Sequence, residues 1–259
     1  MTETLPTDRD IAGCRFVLAT DLDGTFLGGS EADRQVLYDW IEANRDTVGL
    51  IFVTGRDPAF IAELCDGGVP WPEYVIGDVG TTIAKVHSGD IRPIESLEKD
   101  IAELWNDSGD RVREALDGVS GLTLQETEFR YRVSYHLRPD LLDKETVRQV
   151  EDMGFDWIAS DGKYFDVLPK GISKGPSLKK LVSHLAISPN AVLAAGDTLN
   201  DLSMLECGLP AVAVGGSEDA LVERVEPLPH VYIAQAIGAA GISEAIAARD
   251  MHDTPPNHD

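Results

Sequence analysis

Short, wholly apolar runs alternate along the chain with segments whose apolar residues recur at helical spacing. Phe16–Ala19, Leu50–Val53 and Tyr74–Ile76 each read as a buried strand. Between them, Val36, Leu37, Trp40 and Ile41 form one helical face and Pro58–Cys65 another. The rhythm returns late in the chain. Leu178, Leu181, Val182 and Leu185 share a helical face, Val192–Ala195 is a strand, Leu202–Leu205 a helix, and Ala211–Val214 and Val231–Ala234 are strands before an Ala-rich helix from about Ile242. Strands apolar on both faces and separated by helices predict an α/β core with a parallel sheet covered on both sides.

The middle of the chain has a different texture. A long helical pattern (Ile94, Leu97, Ile101, Leu104, Trp105, then Val112 and Leu116) leads to a strand at Leu122–Gln125. Tyr131, Val133, Tyr135 and Leu137 alternate with polar residues, which predicts a half-exposed antiparallel strand. A helix through Leu142–Val150 and two short strands, Asp156–Ala159 and Tyr164–Leu168, complete the segment. The expected organisation is therefore a core of residues 1–81 and 170–249, interrupted by an α+β insert at 82–169. A disordered tail is expected at 250–259, where DMHDTPPNHD has no apolar pattern.

Charge changes the picture more than length does. Against 22 Lys+Arg stand 45 Asp+Glu, a formal net charge of −23. Such a field repels polyanions, and no basic stripe offsets it, so a nucleic-acid partner is not expected. An anionic small substrate would need a local cation or metal. Cys14, Cys65 and Cys207 are odd in number and far apart, which suits free thiols in a reducing compartment. The acidic start MTETLPTDRD is no signal peptide, and no apolar run approaches a membrane span. A cytoplasmic protein without membrane partners is the expectation; the sequence carries no signal of oligomeric state.

The candidate chemistry sits where strands end. Ligands of open α/β sheets bind at the carboxyl ends of the strands. The first strand empties into Asp21-Leu22-Asp23-Gly24-Thr25, where two carboxylates at i and i+2 can face one pocket. Like charges that close need a cation or a shared proton, and Mg²⁺ is one such cation. Taken alone, the same run is an ordinary acidic turn. Leu50–Val53 ends in Thr54-Gly55-Arg56, where a hydroxyl and adjacent N–H groups can hold a phosphate oxygen. Val192–Ala195 ends in Gly196-Asp197-Thr198-Leu199-Asn200-Asp201, a further acidic terminus, and Lys170 or Lys174 in PKGISKG could bring a positive charge to it.

Together, DLDGT, a strand ending in TGR, SKG opening a helix, and GDTLND resemble the four ordered motifs of the haloacid dehalogenase (HAD) superfamily phosphatases. Their separations, 33, 120 and 23 residues between Asp21, Thr54, Lys174 and Asp197, fit that order. The long second gap is where the family inserts its class IIB caps, and the texture is most similar to the sucrose-phosphatase-like branch. The resemblance implies a Rossmann-like core (HAD fold) with an inserted α+β cap. It implies Asp21 as the nucleophile forming an aspartyl phosphate, and Asp23 as general acid, then base. Mg²⁺ would be held by Asp21, the Asp23 backbone carbonyl and Asp197, with Asp201 in support. Thr54, Gly55, Lys174 and Asn200 would hold the phosphoryl oxygens. Lys174 is preferred to Lys170 because Gly175 follows it and the amphipathic helix starts there.

The implied activity is Mg²⁺-dependent hydrolysis of a sugar phosphate, with a disaccharide or glycoside phosphate favoured by the resemblance alone. A phosphosugar mutase, a hexose-phosphate phosphatase and a non-catalytic sugar-phosphate sensor are the alternatives. Candidates to contact the sugar are Arg56, Arg130, Arg132, Lys163, Tyr164 and Asp166, with Tyr131 and Tyr135 on the opposite face from the two arginines. G-x-S-x-G at Gly171–Gly175, followed by Asp197 and His230, also matches a serine-hydrolase order. There Pro169 and Lys170 separate the strand from the first Gly, and DLDGT would have no role. The six histidines have no zinc-ligand spacing.

Overall fold

Each apolar run becomes a strand because both of its faces can be buried at once. In β1 (Phe16–Thr20), Val17 and Ala19 point into one apolar cluster, Phe16 and Leu18 into another on the opposite face. The computed structural model describes residues 9–127, 129–160 and 162–257. After β1 come α1 (Glu31–Ala43), β2 (Val48–Val53), α2 (Pro58–Asp66) and β3 (Tyr74–Gly77). Helix starts are set locally: Ser30 and Asp33 form a capping box at α1, and Asp57 caps α2 just ahead of Pro58.

The chain continues with β4 (Thr82–His87), β5 (Asp90–Pro93), α3 (Glu95–Trp105), α4 (Gly109–Ala115), β6 (Leu122–Leu124), β7 (Val133–Leu137), α5 (Lys144–Asp152), β8 (Phe155–Ser160) and β9 (Tyr164–Pro169). It closes with α6 (Lys174–His184), β10 (Val192–Gly196), α7 (Leu202–Leu205), β11 (Ala211–Gly215), α8 (Asp219–Val225), β12 (Val231–Ile237) and α9 (Ala239–Ala248). The large sheet has the order β12-β11-β10-β1-β2-β3-β4-β5, parallel from β12 to β3. Helices α6, α7 and α8 cover one face; α1, α2 and α9 cover the other. The strand order reverses between β1 and β10, and the crevice at such a reversal is where doubly wound sheets bind ligands.

A second, antiparallel sheet, β6-β7-β9-β8, forms the insert. One of its faces, with Val133, Tyr135, Leu137, Phe165 and Val167, packs with Trp105, Val112, Leu116 and Val150 into a separate core. The other carries Ser134, His136, Tyr164 and Asp166, paired across the strands as Ser134↔Asp166 and His136↔Tyr164.

Three expectations need correction. Residues 82–93 are not part of the insert: β4 and β5 form an antiparallel hairpin on the edge of the large sheet, next to β3. The single long helix is two, because Asn106 and Asp107 adopt left-handed φ of +47° and +52°. Leu97 and Ile101 of α3 pack into the large core while Trp105 reaches the insert's. The tail is ordered through Asn257: the Trp40 indole donates to the Thr254 carbonyl, and His252 is buried against Trp40 and Thr47. Residues 258–259 lie outside the described ones. Among the described residues, no helix is long and apolar enough to cross a membrane.

Candidate active site

The turn after β1 puts Asp21 at the point where the strand order reverses, opposite the end of β10. Asp21 N donates to the Ala195 carbonyl, so the nucleophile candidate is stitched to the neighbouring strand. Gly24 then takes φ +81°, and a Cβ there would lie 2.1 Å from Asp197 Oδ2. Only glycine lets this turn approach Asp197 so closely. Thr25 Oγ1 donates to Asp197 Oδ1 at 2.7 Å, which fixes that carboxylate.

Asp21, Asp197 and Asp201 each offer an oxygen within 4.8 Å of the others. Burial pushes Asp21 well above the usual carboxylate range; Lys174 draws it back, and Asp201 and Asp197 push it up. Burial, aided by the Asp201 charge, lifts Asp197 to about 7, against the pull of its Thr25 hydrogen bond. Three crowded carboxylates of this kind are an unfavourable arrangement without a cation, and an all-oxygen set of few carboxylates suits Mg²⁺. The donor set fits the ion. Asp201 is spent on support: one oxygen accepts from Lys174 and the other from the backbone N–H of Asp197 and Thr198.

Lys174, the first residue of α6, is wholly buried under this cluster. Its ammonium donates to Asp21 Oδ1 at 2.6 Å, Asp201 Oδ1 at 2.7 Å and Asn200 Oδ1 at 2.9 Å. Burial opposes its charge, but Asp201 and Asp21 more than offset this and hold its pKa above the ordinary lysine value. An ammonium has three donors, and all three are engaged. Lys174 therefore holds the Asp21 carboxylate from below; it does not line the cleft, where direct contact with phosphoryl oxygens was expected. Lys170 is remote from the cluster and pairs with Asp156 on the surface.

Above the cluster lies a cleft of about 550 Å³ between the large sheet and the polar face of the insert. From the core, Asp21, Asp23, Thr54, Gly55, Arg56, Asp197 and Asn200 line it. Asp23 is joined to Arg56 by two hydrogen bonds, 2.9 and 3.1 Å, and the Arg56 guanidinium lies over the Phe60 ring. Asn200 uses its carbonyl oxygen on Lys174 and Thr198, which leaves its amide N–H groups as donors toward the cleft.

From the insert, Arg132, Tyr164 and Asp166 reach the cleft, as expected. Arg130 does not. It makes two hydrogen bonds to Glu98 and one to Thr82, tying the insert to α3 and the β4–β5 hairpin. Lys163 is exposed and is not part of the lining. Tyr135 is buried on the apolar face, and Tyr131 packs between the two cores. The reason is that β7 begins only at Val133, so alternation does not extend back to residues 130–132. Gln125, Thr127, Phe129, His136 and Ser160 also line the cleft and were missed. His136 had a signal: it is the polar alternate in the Tyr131–Leu137 pattern. The serine-hydrolase arrangement is not assembled, since Ser173 is not in the lining and His230 bonds the Leu205 carbonyl.

A family model described as sucrose-6F-phosphate phosphohydrolase matches residues 14–248, both halves of the core and the whole insert. The chain belongs to the sucrose-6F-phosphate phosphohydrolase family. Within reach of this family is the glucosylglycerol-phosphate synthase of Pseudomonas anguilliseptica, 39% identical over 88% of this chain but only 30% of that protein. Sucrose-phosphatase 2 of Nicotiana tabacum is 30% identical over 94% of this chain and 61% of its own. The chain thus spans only part of these relatives. The crystal structure of the Synechocystis sucrose-phosphatase, in complex with sucrose and phosphate, superposes with a TM-score of 0.82 at 27% identity, covering 92% of this chain and 98% of that one. The fold is that of the HAD phosphatases, with the insert as its cap.

Proposed function

We propose that this chain is a Mg²⁺-dependent phosphatase of glycoside phosphates that works through an aspartyl-phosphate intermediate. The observation that carries the reading is the buried Asp21–Lys174–Asp201 chain, closed by Asp197, at the floor of a cleft roofed by hydrogen-bonding cap residues. The relatives' names support the substrate class: one is a sucrose-phosphatase, and another is a synthase named for glucosylglycerol phosphate as its product. Sucrose phosphate and glucosylglycerol phosphate are both glycosides carrying one phosphate, and the polar cap face suits a hydroxyl-rich leaving group.

Mg²⁺ held by Asp21, Asp197 and the Asp23 carbonyl would neutralise phosphoryl charge at the floor of the cleft. Asp21 is the nucleophile: one carboxylate oxygen, fixed by the Lys174 hydrogen bond to the other, forms a bond to phosphorus as the bond to the sugar oxygen breaks. Asp23 gives that oxygen a proton. Water, losing a proton to Asp23, then attacks the phosphorus and frees phosphate, restoring Asp21. The Thr54 hydroxyl, the Gly55 N–H and the Asn200 amide hold the phosphoryl oxygens. Asp201 and Lys174 are positioning residues.

The test is phosphate release from sucrose 6-phosphate, glucosylglycerol phosphate and hexose phosphates, with and without EDTA, alongside Asp21→Asn. Turnover of a glycoside phosphate that needs Mg²⁺ and Asp21 is expected. Binding without turnover would mean a sensor. Transfer of phosphate back to a second sugar hydroxyl would mean a mutase.

A further inference from the structure

Arg132 is 5% exposed and spans the seam between cap and core. Its guanidinium lies 3.6 Å over the Phe129 ring, which fixes the plane of the fork. On the cap side Nη1 donates to Asp166 Oδ1 at 2.9 Å, an oxygen that Ser134 also engages. On the core side Nη2 donates to the Gly55 carbonyl at 3.1 Å. Gly55 lies between Thr54 and Arg56, so this bond runs from the cap straight to the phosphate-holding loop.

A second strip of core backs that loop. Asp78 N donates to the Arg56 carbonyl and Val79 N to the Thr54 carbonyl. Asp78 and Val79 take φ of +53° and +59°, a strained conformation for a β-branched residue in particular. The Asp78 carboxylate faces Arg132 with Oδ1 3.6 Å from Nη2, an ion pair too long for a hydrogen bond. Arg132 Nε and Asp78 Oδ1 are both buried and without hydrogen-bond partners. A buried donor and acceptor left open on two sides of one seam favour a shorter distance.

We propose that Arg132 and Asp78 form a latch that sets how far the cap closes on the phosphate loop. The latch rests on the functional reading above, because it presumes a substrate held between cap and core. Closing the gap by about 0.6 Å would convert the ion pair to a hydrogen bond. It would also press the Thr54–Arg56 loop from the Asp78 side while Asp166 holds the cap side. Asp78 does not line the cleft; its Oδ1 faces Arg132 while its Oδ2 accepts from Thr82 Oγ1, so its carboxylate meets the cap through Arg132. Arginine is required because a lysine ammonium cannot span Asp166, Gly55 and Asp78 with a fixed planar fork.

The test uses Asp78→Asn and Arg132→Lys in the full chain, with circular dichroism to establish folding. Deuterium uptake is read in residues 74–84 of the core and 129–137 of the cap. The latch predicts faster exchange in both segments for either variant. It also predicts that Asp78→Asn lowers kcat on a glycoside phosphate about tenfold, as for one lost charge-assisted bond. With p-nitrophenyl phosphate, too small to need the cap, Asp78→Asn should change kcat less than threefold. Equal slowing of both substrates, or faster exchange in only one segment, would overturn the latch. Should the wild type cleave p-nitrophenyl phosphate but no glycoside phosphate, the functional reading falls, and the exchange comparison alone decides the latch.

Discussion

Lys174→Met removes one charge from the centre of the site while almost conserving side-chain volume. The ammonium is wholly buried, within 2.7 Å of both Asp21 and Asp201. At an effective dielectric near 20, each contact is worth about 6 kcal/mol of attraction before the cost of burying the ions. Measured losses on breaking a buried pair, with that cost included, are about 3–5 kcal/mol. For a chain of this size, this corresponds to a fall of roughly 6–20 °C in the unfolding midpoint. Mg²⁺ brings an alternative positive charge to the same carboxylates, so it should recover part of the loss, which a packing defect would not allow. The assay is thermal unfolding by circular dichroism in EDTA and in excess Mg²⁺, with phosphate release alongside. Activity should fall about a hundredfold or more, because Asp21 loses the hydrogen bond that orients it for attack. A variant that melts within about 2 °C of wild type in EDTA, or keeps a tenth of its activity, would refute the argument.

Three other expectations follow from the same contacts. Asp197 titrates near 7 when metal-free and must be ionised to bind a cation. The gain in melting temperature from Mg²⁺ should therefore be full at pH 8 and shrink as pH falls below 7; an equal gain at pH 5.5 and 8 contradicts this. Gly24→Ala would force a Cβ to 2.1 Å from Asp197 Oδ2 and strain φ +81°, so titration calorimetry should show Mg²⁺ affinity at least tenfold weaker in a folded protein. Arg130→Ala should lower the melting temperature by several degrees, because it strips the buried Glu98 of its cation, yet leave KM within twofold. A large rise in KM would place Arg130 in the substrate site after all.

The parallel strands were legible because each is apolar on both faces, and three of the candidate catalytic residues because they follow such a run directly. Asp21, Thr54 and Asp197 all stand at the carboxyl end of a strand whose burial the composition announces. The β4–β5 hairpin lacks that signature. Asp90–Pro93 is an exposed edge strand of four residues, so its texture merged with the insert. The break between α3 and α4 escaped notice because the apolar spacing continues on either side of Asn106 and Asp107. Lys174 was chosen over Lys170 on helix-start grounds, and its burial agrees with the choice; that all its donors face inward depends on Asn200, which spacing cannot reveal. Cap contacts were the least legible. Arg130 and Arg132 are two residues apart in an irregular segment and turn to different partners, Glu98 and Asp166. The tail was misread because its anchors are single contacts to distant Trp40 and Thr47, not a periodic pattern.

The central strand also dictates when the candidate site can assemble. β1 lies between β2 and β10, pairing Phe16 with Val48 on one side and Val17 with Val192 on the other. A ribosome therefore releases Asp21 long before it releases Lys174, Asp197 or Asp201. Until β10 emerges, β1 keeps an unpaired edge beside an incomplete acidic centre, and pairing across so long an interval is slow. A chain cut before β10 thus lacks Asp197 and Asp201 and carries an open strand edge beside Asp21. Assembly of the acidic cluster is in this way tied to completion of the core, and a half-made molecule brings none of Lys174, Asp197 or Asp201 to Asp21.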